Sequence, residues 1–168
     1  TKDDIEAAAG SYGARKEPLW VGGSQINERG RAVLAEIAKA AEWGLDAGAF
    51  PLPDAMARLD TPEALGAVEA QVTLAALTYA RHARGGRTRP LSISQMLDLT
   101  PPVRDPKVVL SEIEAASDPA AYLTGLHPRH EQFQRSRAEL VKRLGPVAPE
   151  PPRDPAFLVQ LPPDGATI

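Results

Sequence analysis

Apolar residues recur at three- and four-residue steps along most of this chain, and Pro or Gly interrupts wherever such a run ends, which predicts helices joined by proline-set loops. The first clear run follows Asn27, a good N-cap, with Val33, Leu34, Ile37, Ala38 and Ala41 on one stripe and Gly44 as the stop. Thr61-Pro62 opens a longer run to about Arg84. There Leu65, Val68, Val72, Ala75, Ala76 and Tyr79 form one stripe, and Leu74 and Leu77 add a second. A helix apolar on two sides belongs in the middle of a bundle, so this is the expected central helix, closed by Gly85-Gly86.

Asp105-Pro106 and Asp118-Pro119 repeat that start signal for two shorter helices, through Val109, Leu110 and Ile113 and through Tyr122, Leu123 and Leu126. A last helix is expected from about His130 to Leu144, with Phe133, Leu140, Val141 and Leu144 on one face and the stem of Arg137 between them. The loop Leu45 to Pro53 cannot continue a helix through its prolines, and its Phe50 and Leu52 are expected to pack back onto the core. The expected fold is therefore mostly α, a compact multi-helix bundle with proline-rich loops over residues 1–145. Residues 146–168 read as an extended, proline-rich linker, with seven prolines between Pro146 and Pro163. The one candidate for a short two-stranded pairing joins residues 18–21 to residues 157–161.

Composition narrows the chemistry. The 168 residues include no Cys, which removes a thiol nucleophile, a Cys-ligated zinc and an iron-sulfur cluster. A net charge of −3 argues against a general nucleic-acid binder, and no apolar run is long enough for a membrane span. His127 and His130 have a metal-ligand spacing, but Pro128 breaks the helix between them and no third ligand is assigned. His130 is instead expected at a helix start. No serine sits in a Gly-x-Ser-x-Gly elbow, and Asp3-Asp4 and Glu112/Glu114 read as solvated or helix-terminal charges. Neither glycine pair has the setting of a phosphate loop. No catalytic residue, metal or cofactor is expected.

Four arginines and a histidine lie between Arg81 and Arg89 with no acid among them. Arg81 and Arg84 are also explained by the negative end of the helix dipole, whereas Arg87 and Arg89 lie beyond it and are candidates for an anionic partner. Trp20 and Trp43 are the candidates for stacking on sugar rings, set against the commoner role of tryptophan in a core.

Several stretches taken in order resemble the N-terminal scaffold domain of the large, multidomain murein L,D-transpeptidases of Gram-negative bacteria. They are Pro18-Leu19-Trp20-Val21-Gly22-Gly23, Arg29-Gly30-Arg31-Ala32-Val33-Leu34, Gly44-Leu45-Asp46 and Phe50-Pro51-Leu52-Pro53. They continue through Leu77-Thr78-Tyr79-Ala80-Arg81, Gly85-Gly86-Arg87, Thr100-Pro101-Pro102, Asp118-Pro119-Ala120-Ala121 and His127-Pro128-Arg129-His130-Glu131-Gln132-Phe133. The resemblance implies a non-catalytic, periplasmic domain whose partners are the peptidoglycan-binding and catalytic domains of a parent enzyme, and in addition murein itself. Leu161 to Ile168 looks like the lead-in to that binding module. The Ser-x-Gly-Cys-x-Arg nucleophile motif of the family's catalytic domain does not occur in this chain. The alternative is a stand-alone helical periplasmic adaptor for a protein or peptidoglycan.

Overall fold

The computed structural model describes residues 1–145 except 16, 89–92, 95 and 97–99. Its elements in chain order are α1 (Lys2–Ala14), β1 (Val21–Gly22), β2 (Gln25–Ile26), α2 (Glu28–Ile37), 3-10 turns at Ala40–Trp43 and Ala47–Ala49, α3 (Pro62–Ala83), α4 (Pro106–Ala115), α5 (Pro119–Thr124) and α6 (Glu131–Leu144). None of the described helices is long and apolar enough to cross a membrane.

Helix starts follow local side-chain chemistry. Asn27, Thr61, Asp105, Asp118 and His130 each accept a backbone N–H two or three residues on, at 2.9, 3.2, 2.7, 2.9 and 3.1 Å respectively. Pro62, Pro106 and Pro119 occupy the first turn, where no N–H is needed. Gly44 and Gly85 end their elements in the left-handed region, with φ of 74° and 84°.

At the centre lies α3, which touches α1, α2, α4, α5 and β1. Its buried Val72, Ala75, Ala76, Leu77, Tyr79, Ala80 and Ala83 meet Val33, Leu34 and Ile37 of α2, Val109, Leu110 and Ile113 of α4, and Leu123 of α5 in one core. Phe50 is buried and Leu52 packs against the same core, as their loop's prolines suggest.

Three local features go beyond the sequence reading. Residues 2–14 form a helix that hydrophobic periodicity does not announce, because its inner face is made of small residues together with Asp4 and Tyr12. The helix after Asn27 ends at Ile37, and the chain tightens into a 3-10 turn before Gly44. That turn is held by the Trp43 Nε1–H, which donates to Glu36 at 3.1 Å. The two-stranded sheet is a local antiparallel hairpin, Val21 opposite Ile26 and Gly22 opposite Gln25. Residues 157–161, the partner expected for residues 18–21, lie outside the described residues, as does the whole linker from 146.

Gly30 shows why α2 can reach the hairpin. A Cβ there would lie 2.6 Å from both the Trp20 carbonyl oxygen and Ile26 Cγ2, inside any real contact distance. That carbonyl already accepts the Asn27 N–H at 2.8 Å and cannot withdraw freely. Gly30→Ala is expected to cost about 1–3 kcal/mol despite the better helix propensity of Ala, read as a lowered urea midpoint. A neutral or stabilising effect would contradict the close approach.

Candidate functional site

Two buried polar clusters hold the bundle, and the candidate residues fall on or around them. The first is built on Glu69 and Thr73, one helical turn apart on α3 and both buried. The Glu69 carboxylate accepts three successive backbone N–H groups, from Leu19 at 2.5 Å, Trp20 at 2.8 Å and Val21 at 3.0 Å. It also accepts the Tyr12 hydroxyl at 2.7 Å. Trp20 Nε1–H, which is only a donor, gives its proton to Thr73 Oγ1 at 2.8 Å. Thr73 then donates to Tyr12 at 2.6 Å, and Tyr12 to Glu69, so each proton in the chain has an acceptor. Burial, together with the Glu69 charge, raises the Tyr12 hydroxyl above the ordinary tyrosine range. Glu69 thus acts as a structural acceptor for a strand-like segment that has no sheet partner at residues 19–20.

The second cluster is aromatic. His127, 4% exposed, shares a 2.8 Å hydrogen bond between its Nε2 and the Tyr79 hydroxyl. Its ring stacks on Trp43 with centroids 4.1 Å apart and planes 7° from parallel. The Arg137 guanidinium of α6 lies 3.7 Å from the Trp43 ring centroid. Phe133, also on α6, faces His127 with centroids 6.4 Å apart. Burial, then the Arg137 charge, lowers the His127 pKa to about 4, so the imidazole is neutral at pH 7. Burial with the nearby Glu36 charge raises the Tyr79 hydroxyl. His130 caps α6 and takes no part in this stack's hydrogen bonds, and no group of three or more ligand-type side chains that could hold a metal occurs among the described residues.

The arginine cluster is not one patch. Arg81, half-buried, pairs with the buried Asp4 of α1. Asp4, read from the sequence as a solvated or terminal charge, is therefore a packed ion-pair partner. Arg84 donates through Nε to the Pro102 carbonyl at 3.1 Å. Arg87 meets Asp46 at 3.3 Å on the surface, and Arg89 lies outside the described residues. Three arginines thus tie the end of α3 to three different segments. Glu112 and Glu114 are likewise engaged, Glu112 by Tyr122 at 2.8 Å and by Arg104 at 2.5 Å, Glu114 by Arg15.

Of the two tryptophans, Trp20 is 0% exposed, and its burial corrects the expectation that it could meet a sugar ring. Trp43 is half-buried with its indole already engaged by His127 and Arg137. The candidates are not brought together: Trp20 belongs to the Glu69 cluster, Trp43 to the His127 stack, and the arginines to the end of α3. Glu69 and Thr73 were the residues that motif reading passed over, and Tyr79 was read only as part of the apolar stripe. The signal for Glu69 was a charge set on the apolar stripe between Leu65 and Val72.

Because the Arg87–Asp46 pair is exposed, Arg87→Glu is expected to lower stability by less than about 1 kcal/mol, measured by thermal melting. A larger loss would show that the pair anchors the loop.

These features define a helical packing domain whose buried carboxylate, hydroxyl and imidazole groups are engaged with one another. A family model described as a Scaffold domain matches residues 6–140, most of the chain, and the chain belongs to that family. No curated protein and no solved structure matches it.

Proposed function

We propose that this chain is the non-catalytic scaffold domain of a peptidoglycan L,D-transpeptidase, acting in the periplasm to support the catalytic and peptidoglycan-binding domains of that enzyme. The observation that carries the reading is membership of the Scaffold domain family over residues 6–140. The stretches that resemble transpeptidase scaffolds support it, because their side chains have packing tasks. Residues 19–21 seat on Glu69, Gly30 lets α2 approach Trp20, and His127 joins Tyr79 and Trp43. Arg29, in the same stretch as Gly30, donates to the Ile113, Glu114 and Ala116 carbonyls at 2.9, 3.2 and 2.9 Å and so closes the C-terminal end of α4. Residues that fix one rigid body are what a domain needs in order to hold others at set positions.

Contact with murein, in this reading, falls to Arg87, whose pair with Asp46 is solvent-exposed, and to Arg89, since Trp20 is buried, Trp43 is stacked between His127 and Arg137, and Arg81 and Arg84 are bonded to less exposed parts of the chain. The parent enzyme would form cross-links by acyl transfer through a cysteine supplied by its catalytic domain.

The reading frame beyond Ile168 tests the proposal directly. A peptidoglycan-binding module followed by a Ser-x-Gly-Cys motif is the expected result, and a stop codon at that point would favour the stand-alone adaptor. Retention on purified sacculi, compared between the native chain and an Arg87→Glu/Arg89→Glu variant, tests murein contact. Equal retention of the two would exclude these arginines.

A further inference from the structure

The apolar stripe of α6 is only half covered. Phe133, Leu140 and Val141 are half-buried, Leu144 is 44% exposed, and no residue of the helix is buried. The covered side rests on the turn at Ala40–Trp43, where Arg137 stacks on Trp43 and Leu140 lies beside Gly44. The outward side is polar, with Glu131 paired to Arg135 at 2.6 Å and Glu139 to Arg143 at 3.0 Å. A helix of 14 residues has little stability of its own in water, so a stripe left half open is free surface for a further element. A pocket of 340 Å³ continues the stripe at the start of α6, where Trp43, Leu45, Pro102, Pro128 and Phe133 are exposed to it and no acidic side chain among the described residues lines it.

The chain itself carries a matching element. Past Gly145 the sequence sets Pro146, Pro149, Pro152 and Pro155 at every third position. A polyproline II helix has three residues per turn, so these four rings would share one face, with Glu150, Arg153 and Asp154 on the other two. Nine steps of about 3.1 Å give roughly 28 Å, against about 21 Å for the length of α6, so the segment can run the whole stripe and reach the pocket. Gly145 ends α6 at φ 67°, a left-handed value that a side chain opposes, and so breaks the helical course at the point where a reversal must begin.

We infer that residues 146–155 fold back as a polyproline II helix antiparallel to α6, with Pro149 and Pro152 on the stripe formed by Phe133, Leu140, Val141 and Leu144, and Pro155 leading Phe157 into the pocket beside Trp43. Proline rings bury carbon against apolar side chains at low entropic cost, because their φ is fixed before they dock. Docked in this way, the segment sets the direction in which the chain leaves the bundle. The inference does not rest on the transpeptidase reading.

Since the chain has no Cys, Ala156→Cys accepts a single spin label. In the full-length, isotope-labelled chain, compared with the same sample after reduction of the label, loss of NMR signal is expected for the Trp43 indole N–H and for the amides of residues 129–134. Loss confined to the amides next to Gly145 would mean an undocked linker and would overturn the inference. Adding Pro149→Ser/Pro152→Ser is expected to restore the signals of Trp43 and residues 129–134, with the Trp20 indole signal unmoved as the sign of an intact core. Signal loss that persists in that variant would contradict docking through the proline face. Signal loss in isotope-labelled native chain mixed with unenriched spin-labelled chain would put a second copy on the stripe and would equally overturn the inference.

Discussion

Glu69→Gln is expected to destabilise the fold by about 3–5 kcal/mol, a fall of roughly 10 °C in melting temperature for a chain of this size. The carboxylate receives the N–H groups of Leu19, Trp20 and Val21 and the Tyr12 hydroxyl, and it has no donor of its own to offer. Gln keeps one acceptor oxygen and turns an NH₂ group toward donors, so at least one buried N–H loses its partner and faces another donor. Glu69→Ala removes all four acceptor contacts and adds a cavity, and is expected to cost at least as much. Thr73→Val, which interrupts only the relay from Trp20 to Tyr12, is expected to cost less, about 1–2 kcal/mol. Urea unfolding of the three variants checks the order. A Glu69→Gln effect below 1 kcal/mol would mean that the carboxylate is not the seat of residues 19–21.

The second large effect is a pH dependence. His127 has its pKa lowered to about 4 in the folded chain, against about 6.5 when unfolded. The unfolded chain therefore takes up the proton first as pH falls. The stability that this burial contributes is complete above about pH 6.5, is lost progressively through the window below it, and stops falling once the folded form also protonates near pH 4. From pH 7 to pH 5 the loss is about 2 kcal/mol. His82, whose pKa is lowered by burial and by Arg81 and Arg87, adds a loss of the same sign. The comparison that isolates His127 is therefore the native chain against His127→Phe, which retains a ring for Trp43 but does not titrate. The native chain is expected to lose about 2 kcal/mol more than the variant between pH 7 and pH 5. Parallel curves would show that His127 is not buried neutral beside Tyr79.

Helix starts were legible because their causes are local. Each of Asn27, Thr61, Asp105, Asp118 and His130 closes a hydrogen bond within three residues, which needs no knowledge of the rest of the chain. The central place of α3 was legible for a similar reason, since two apolar stripes require two neighbours. By contrast, α1 escaped because Ala7, Gly10 and Gly13 give little periodic signal, and its inward attachments are polar ones, from Asp4 to Arg81 and from Tyr12 to Glu69. These contacts span more than fifty residues of sequence, and no local pattern encodes such a pairing. The candidate residues suffered from the same limit. Arg81 to Arg87 looked like a basic patch in one dimension, but Asp4, Pro102 and Asp46 arrive from three other parts of the chain to meet them. Trp43 and His127 were separately visible, and only folding stacks them.

Both clusters rest on α3, so they are expected to open together as parts of one cooperative body. Trp20 reports the Glu69 cluster and Trp43 the His127 stack, and each has its own indole N–H. Their two NMR signals, followed in one urea titration of the native chain, give the most direct test. The expected result is loss of both native signals at the same midpoint and with the same slope. Separate midpoints would show that the ends of α3 unfold independently and would contradict a rigid body able to hold other domains in place.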